Sequence, residues 1–247
     1  MLFGIMLGDG CLSSYKCKDR KNRSLIVITG HKFDDMDFFK KVLVPLLKCF
    51  TDNSVKIKER RSDNAIEIHL TDILFFNKIY SFGFPVEKKG IVLFIPEEFY
   101  KKDLVKFVVA GFIATDGSLV ITKNGNKYYP RVEGTGISKI LIHEISEYLN
   151  RVGMRGYFYL AKRKNIINNF QNRQKIYRFQ FNGKKNLILF NDLVGFINPK
   201  HKKRYLKFLE YTDKYDNRIN GLSSKIQKRA GNEINRIYFN KSGSGGN

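Results

Sequence analysis

Two Asp-Gly pairs, each closing an apolar stretch, are the residues best suited to do chemistry. Asp9 lies near the end of LFGIMLGDG, which begins at Leu2, and Asp116 lies near the end of VAGFIATDG, which begins at Val109. Both segments read apolar-x-Gly-apolar-apolar-x-x-Asp-Gly, and the two carboxylates stand 107 residues apart. This internal repeat indicates that the chain holds two copies of one structural unit.

Glycines recur at matching places in both segments. Gly4 and Gly111 fall inside apolar helix patterns, where the missing side chain lets two backbones approach closely. Gly10 and Gly117 follow the acids and suit the left-handed conformation that often ends a helix. Each acid is therefore predicted to lie at a helix C-terminus.

A carboxylate at a helix C-terminus is unfavourable, because the helix dipole places partial negative charge there, so a cation is expected nearby. Carboxylate oxygens suit Mg²⁺, which keeps several waters and also accepts phosphate oxygens. Asp9 and Asp116 are therefore predicted to be metal ligands for phosphodiester hydrolysis. The alternative is that Asp-Gly marks an ordinary turn, but the pair recurs in register with the rest of the motif.

The charge balance indicates a polyanionic partner. The chain has 45 Lys and Arg residues against 23 Asp and Glu residues, which gives a formal charge of +22. The composition is 43% hydrophobic, with 21 Phe and 13 Tyr, so the chain can bury a core and is not a disordered basic tail. Such an excess of positive charge repels itself in a compact state, and nucleic acid is the expected partner.

Other classes of protein are not indicated. Three cysteines, Cys11, Cys17 and Cys49, lack the spacing of a zinc site or a disulfide framework, so an intracellular protein is predicted. No apolar run reaches the roughly 18 residues of a membrane span, and no signal peptide is expected. Residues 242–247, SGSGGN, resemble a flexible linker.

The same order of elements follows each motif. The first half is predicted to contain a strand at residues 24–31, a helix at 34–50, a hairpin of VKIKER and AIEIHL, and a helix at 71–82. The second is predicted to contain strands at 118–122 and 128–136, a helix at 139–152, a hairpin of YFYLAKRK and KIYRFQFN, and a helix at 185–196. The predicted domains are residues 1–97, residues 98–215 and a basic tail at 216–247.

With these features the sequence resembles the LAGLIDADG homing endonucleases, whose name spells the repeated motif. The resemblance covers residues 2–209. Within them, Thr29–Lys32, GFPVEKKG at 83–90 and GFINPKHKK at 195–203 resemble the archaeal and intein-associated branch of the family. It implies an α+β fold of two pseudo-symmetric αββαββα halves, with the motif helices side by side and a saddle-shaped DNA-binding sheet. It also implies two or three Mg²⁺ ions, replaceable by Ca²⁺ or Mn²⁺, held by Asp9, Asp116 and the carbonyls of Gly8 and Thr115.

The resemblance suggests further site residues. The family often has a polar residue after the second strand that orders water, and the matching positions are His31 and Ser138. A basic pocket beside the metals would stabilise developing negative charge, with Lys88 or Lys89 in the first half and Lys200 in the second. Any one of these residues could instead belong to an ordinary surface or core.

The hairpins are predicted to present a basic face to DNA. In alternating strands, one face carries polar residues while Val55, Ile57, Tyr177, Phe179 and Phe181 face a core. A two-stranded ribbon fits the major groove, where Arg and Lys read guanine and Gln reads adenine. The predicted DNA-binding residues are Lys32, Lys56, Lys58, Arg60, Arg131, Lys139, Lys162, Lys164, Arg178 and Gln180. The alternative is a charged face that serves solubility.

Taken with the resemblance, these features predict a monomeric, Mg²⁺-dependent endonuclease that cuts both strands of a long, asymmetric double-stranded DNA site. One alternative is an RNA maturase that binds a host intron RNA and assists its splicing. Another is a DNA-binding protein without cleavage activity, against which the retention of both acids argues.

Overall fold

The computed structural model describes residues 1–16, 22–125, 127–161 and 175–213. Cys17, the predicted DNA-binding residues Lys162 and Lys164 and the predicted tail at 216–247 lie outside these residues. The helices are α1 (Leu2–Asp9), α2 (Met36–Phe38), a π-helix (Phe39–Leu43), α3 (Val44–Lys48), α4 (Ile73–Ser81), α5 (Glu97–Lys101), α6 (Val105–Thr115), α7 (Lys139–Arg151), α8 (Lys184–Leu193) and α9 (Pro199–Asp213). The strands are β1 (Gly10–Lys16), β2 (Asn22–His31), β3 (Ile57–Glu59), β4 (Ala65–Leu70), β5 (Gly117–Asn124), β6 (Lys127–Gly136), β7 (Tyr157–Leu160) and β8 (Tyr177–Asn182).

The motif helices α1 and α6 are packed against each other at the junction of the two repeats. Both helices are almost wholly apolar, which is typical of helices buried on most sides. Every residue from Leu2 to Gly8 in α1 is buried, and in α6 so are most residues between Val105 and Ala114. The core therefore runs through the seam between α1 and α6, and their C-terminal ends emerge at one place.

Each repeat adds an antiparallel four-stranded sheet, with strand orders β1-β2-β4-β3 and β5-β6-β8-β7. Alternation sets the faces, since successive side chains of a strand point to opposite sides. Leu12, Ile26, Ile28, Ile66 and Ile68 of the first sheet are at most 1% exposed. The α+β fold of two αββαββα units predicted from the sequence is confirmed.

The described helices differ from the predicted ones at three places. The helix predicted at 34–50 is divided into α2, a π-helix and α3. Helix α5 lies in the segment that joins the halves, and helix α9 follows the second repeat; neither was predicted. Residues Met1–Lys203 form one compact unit that contains both repeats, and a second unit begins at Arg204.

Among the described residues, no helix combines the length and the apolar character that crossing a membrane requires.

Candidate active site and DNA-binding face

The two acids lie at the ends of the packed motif helices. Asp9 is the last residue of α1, and Asp116 is the residue that follows α6. A Cβ atom added to Gly8 would lie 1.9 Å from Thr115 Oγ1 and 3.3 Å from the backbone nitrogen of Asp116. The residue before one acid therefore contacts the backbone of the other, and the structure brings both carboxylates to one seam.

The glycines that follow the acids are required by close packing and not by a left-handed backbone conformation. Gly10 has φ −83° and ψ 156°, an extended conformation, so the predicted left-handed conformation is wrong for it. Gly117 is not among the described residues with positive φ either. A Cβ atom added to Gly10 would lie 2.5 Å from the Cα of Met6, and one added to Gly117 would lie 2.5 Å from the Cα of Ile113. Each strand leaves its helix so tightly that there is no room for a side chain.

Burial favours protonation of both acids, and repulsion from nearby carboxylates adds to it at Asp9. Burial, followed by the charges of Asp116 and Asp35, raises the pKa of Asp9 from 3.8 to about 7, while Lys89 and Lys200 oppose the shift. Burial raises the pKa of Asp116 too, and Lys89 opposes it. Asp9 is half-buried, whereas Asp116 is exposed, so burial acts more strongly on the carboxyl of Asp9. A cation close to the acids lowers the pKa of both carboxyls and so favours their charged forms.

Lys89 supplies such a cation. Its Nζ donates to the carbonyl oxygen of Gly8 and, at 3.3 Å, to that of Leu7. The preceding residues are tied to β1: Val86 forms a parallel bridge with Leu12, whose carbonyl also accepts the Glu87 N–H at 2.5 Å. This anchoring directs Lys89 toward the C-terminal end of α1.

Counting along the sequence does not distinguish Lys88 from Lys89, but their environments differ. Lys88 is exposed and makes no hydrogen bond or ion pair with any described residue, whereas Lys89 is half-buried against the acids. Burial lowers the pKa of Lys89, and the charges of Asp116 and Asp9 oppose that effect. Of the two lysines, Lys89 is therefore the one that lies near the acids.

Lys200 belongs to a cluster that joins the two repeats and that sequence reasoning missed. Its Nζ lies 2.7 Å from Oδ1 of Asp35, a residue of the first half. Asp35 also accepts the His31 backbone N–H at 3.0 Å. Nδ2 of Asn198 donates to Asp35 Oδ1 at 3.4 Å and to the Ala114 carbonyl at 2.8 Å. The charge of Asp35 acts on Asp9, so the cluster borders the acid pair.

The structure corrects the role predicted for Ser138, while the role of His31 stays a prediction. Ser138 is 2% exposed, and its hydroxyl accepts the Leu141 N–H and donates to the Leu93 carbonyl at 2.6 Å. It caps helix α7 and has no access to water or phosphate, which corrects its catalytic assignment. His31 is exposed, and its Nδ1 lies 3.3 Å from Asp34 Oδ2.

These two residues are also not equivalent in the repeats. Gly10 pairs with Ile28 in the first sheet, and Gly117 pairs with Gly134 in the second. Counting from these pairs, His31 corresponds to Ile137 rather than to Ser138. The first half has a longer turn before its helix, and the Asp35 of that turn reaches Lys200.

The strands present polar side chains on the faces turned away from the core. In the second sheet Arg178 and Gln180 alternate with Phe179 and Phe181, both of which are fully buried. Arg178 lies opposite Thr135 and Tyr159. Gln180 accepts the Tyr159 hydroxyl at 3.0 Å, which fixes the orientation of its amide. In the first sheet Lys58 shares the outer face, and Lys56 is exposed just before β3.

Acidic residues neutralise part of this basic face. Lys32 pairs with Glu59 at 2.6 Å, and Arg131 pairs with Glu133 at 2.7 Å. Arg60 binds Asp63 at 2.6 Å and Glu67 at 2.9 Å. Lys139 is exposed at the start of helix α7, not on a sheet. The outer faces therefore carry cations held in ion pairs, and also cations such as Lys58 that form no ion pair with another described residue.

The donor set at the seam fits a divalent ion of the Mg²⁺ type. The ligands available are the carboxylates of Asp9 and Asp116 and the main-chain carbonyls near them, all of them hard oxygen donors. Within the described ranges no group of three or more His, Cys, Asp or Glu side chains could hold a metal. Water and phosphate oxygens would complete the coordination.

No family model and no curated protein matches the chain in sequence. Solved structures do match its fold. The LAGLIDADG homing endonuclease I-LtrWI bound to target DNA is 16% identical, with 95% of each chain covered and a TM-score of 0.55. The LAGLIDADG meganuclease I-AabMI bound to uncleaved DNA is 15% identical, with 99% of this chain and 98% of that chain covered and a TM-score of 0.52. A variant of I-DmoI in complex with its target DNA and Mn is 19% identical, with 81% of this chain and 94% of that chain covered and a TM-score of 0.54. The chain has the fold of the LAGLIDADG homing endonucleases.

Proposed function

We propose that the chain is a divalent-metal-dependent endonuclease that recognises a long, asymmetric DNA site and cuts both strands. The observation that carries this proposal is the meeting of Asp9 and Asp116 at the ends of two helices packed through Gly4 and Gly111. I-DmoI has been crystallised with DNA and Ca, Mn or Mg, and I-LtrWI with its target DNA. The shared fold supports a role for this chain in DNA cleavage.

Asp9, Asp116 and the carbonyls of Gly8 and Thr115 would hold the divalent ions. When bound, such ions activate water and stabilise negative charge on the scissile phosphate. Lys89 and Lys200 would add positive charge on either side of the acids. The outer faces of the sheets would contact the groove and the DNA backbone, so binding should weaken steeply with salt.

One chain supplies both acids, so we propose that it acts as a monomer, with residues 1–97 and 98–215 as its two halves. A non-cleaving DNA-binding protein would have no need for two acids with raised pKa values at the seam. The maturase alternative stays a prediction, which a splicing assay with a cognate intron tests.

A cleavage selection tests the proposal. The protein is incubated with a randomised DNA library and Mg²⁺, and the cut ends are sequenced. The Asp9→Asn and Asp116→Asn variants should lose double-strand cleavage but keep salt-sensitive DNA binding. Asp52→Asn changes an exposed acid in the same way and serves as the matched control. Double-strand cleavage by Asp9→Asn or Asp116→Asn at the wild-type rate would refute the proposed role of the acids.

A further inference from the structure

Lys89 contacts the very oxygen that the proposed function assigns to a divalent ion. The carbonyl of Gly8 accepts a hydrogen bond from Lys89 Nζ, and the carbonyl of Leu7 accepts a second one at 3.3 Å. An ammonium held on this carbonyl repels a divalent ion that approaches the same oxygen, so the two cations compete for it. The charges of Asp9 and Asp116 both act on this ammonium, so cation and ion would also share the same counter-charges.

The second repeat lacks this arrangement among the described residues. Ala114 matches Leu7 in the motif, and its carbonyl accepts the neutral amide of Asn198 at 2.8 Å. Lys200, the basic residue of that half, is bound instead to Asp35 at 2.7 Å. The contact between Lys89 and α1 is therefore a particular feature of the first half.

We propose that Lys89 is a built-in counter-cation of the acid pair that competes with the divalent ion for the Gly8 carbonyl and is released when the ion binds. This inference rests on the proposed function, because it takes the acid pair to be the metal site. Once released, the ammonium is free to turn to the phosphate. Lys89 is thus a positioning residue for the two acids before it acts on the DNA.

The proposal predicts opposite effects of one substitution with and without metal. Lys89→Met removes the ammonium that offsets two crowded carboxylates, so the variant should melt at a lower temperature than wild type in chelator. In this variant Ca²⁺ has no competitor for the Gly8 carbonyl. The Ca²⁺ concentration that gives half-maximal stabilisation should therefore fall on the order of tenfold, which corresponds to the free energy of one charge-assisted hydrogen bond. The rise in melting temperature should also be larger in the variant than in wild type.

The neighbouring lysine provides the matched control. Lys88→Met removes the same side chain one residue earlier, from an exposed position, and should leave both the chelator melting temperature and the Ca²⁺ midpoint as in wild type. A Lys89→Met midpoint equal to or higher than that of wild type would overturn the proposal, because the ammonium would then not compete with the ion.

Two further measurements keep the test decisive if Lys89→Met folds poorly. Lys89→Gln keeps a donor for the Gly8 carbonyl but loses the charge, so its midpoint should also fall. In wild type with nitrogen-labelled lysine, the ammonium held by two carbonyls should give a slowly exchanging NMR signal that Ca²⁺ removes. Persistence of that signal at saturating Ca²⁺ would contradict release.

A double variant separates this inference from the proposed function. Asp9→Asn combined with Asp116→Asn should abolish stabilisation by Ca²⁺. If wild type responds no more strongly than this variant, the metal site itself is wrong. If wild type responds and Lys89→Met matches it, only the competition is wrong.

Discussion

The close packing of α1 and α6 makes Gly4 the most sensitive position of the seam. A Cβ atom at Gly4 would lie 1.9 Å from the carbonyl oxygen of Val108 and 3.0 Å from the backbone nitrogen of Phe112. Real Cβ contacts almost never fall below 3.0 Å, so the helices would have to separate by about 1 Å. Both atoms belong to a helix backbone that no rotamer change can move. Gly4→Ala should therefore cost about 3 kcal/mol, the upper end of overpacking effects.

Urea unfolding measures this cost, and Gly136→Ala is the matched control. A Cβ atom at Gly136 would meet only the side chain of Ile142, at 3.0 and 3.1 Å, which can move, so that variant should cost less than about 1 kcal/mol. Gly111→Ala should resemble Gly4→Ala, since its Cβ would lie 2.3 Å from the Met1 carbonyl oxygen. Because both substitutions force the same separation, the double variant should lose less stability than the sum of the two.

Gly4→Ala should also impair cleavage, because Asp9 and Asp116 end the two helices that it separates. DNA binding through the outer faces of the sheets should change less than the rate of cleavage. An unfolding midpoint equal to that of wild type would refute the packing argument. Wild-type cleavage of both strands by a variant that has lost about 3 kcal/mol would refute the link between the seam and the acids.

Three further outcomes follow from the same contacts. The pKa of Asp9 is about 7 in the folded chain and 3.8 in the unfolded one, so in chelator the protonated carboxyl stabilises the fold at low pH. As the pH rises from about 4 to about 7, the free energy of unfolding should therefore fall by at most about 4 kcal/mol. Urea unfolding should show a weaker pH dependence for Asp9→Asn over the same range. Asp35→Ala leaves the half-buried Lys200 without its partner and should cost about 2 kcal/mol, with a smaller loss for Asp35→Asn, measured by urea unfolding. Arg178→Ala should reduce the slope of log Kd against log salt by about one, whereas Arg151→Ala, at the exposed end of helix α7 on the opposite side of that sheet, should not.

The fold was predictable because its signals are local. The motif helices are almost wholly apolar, and the strands alternate with period two, so a short window of sequence reveals each of them. Because the motif and the elements that follow it occur twice in the same order, each half also supported the prediction made for the other. The π-helix at Phe39–Leu43 had no such signal, because its residues fit an ordinary helix equally well.

The residues missed at the site lie far from their partners in sequence. Asp35 reaches Lys200 across 165 residues, and Asn198 reaches Ala114 across 84. No local pattern reports such a contact, although Asn198 before Pro199 is a typical helix start. Glu133 is different: it stands two residues after Arg131 on one strand, so alternation already placed both on the same face.

The structure also shows where the symmetry of the repeat ends. Duplication preserved the acids and the packing of the motif helices, because both depend on residues inside the motif. The neighbours of the acids come from outside it: Lys89 contacts the end of α1, whereas Asn198 contacts the end of α6. In a homodimer one substitution would alter both sites at once, but in a single chain each half can change alone. The two acids therefore have different surroundings, with Asp9 the more buried of the two, and each would present a different set of charges to its DNA strand.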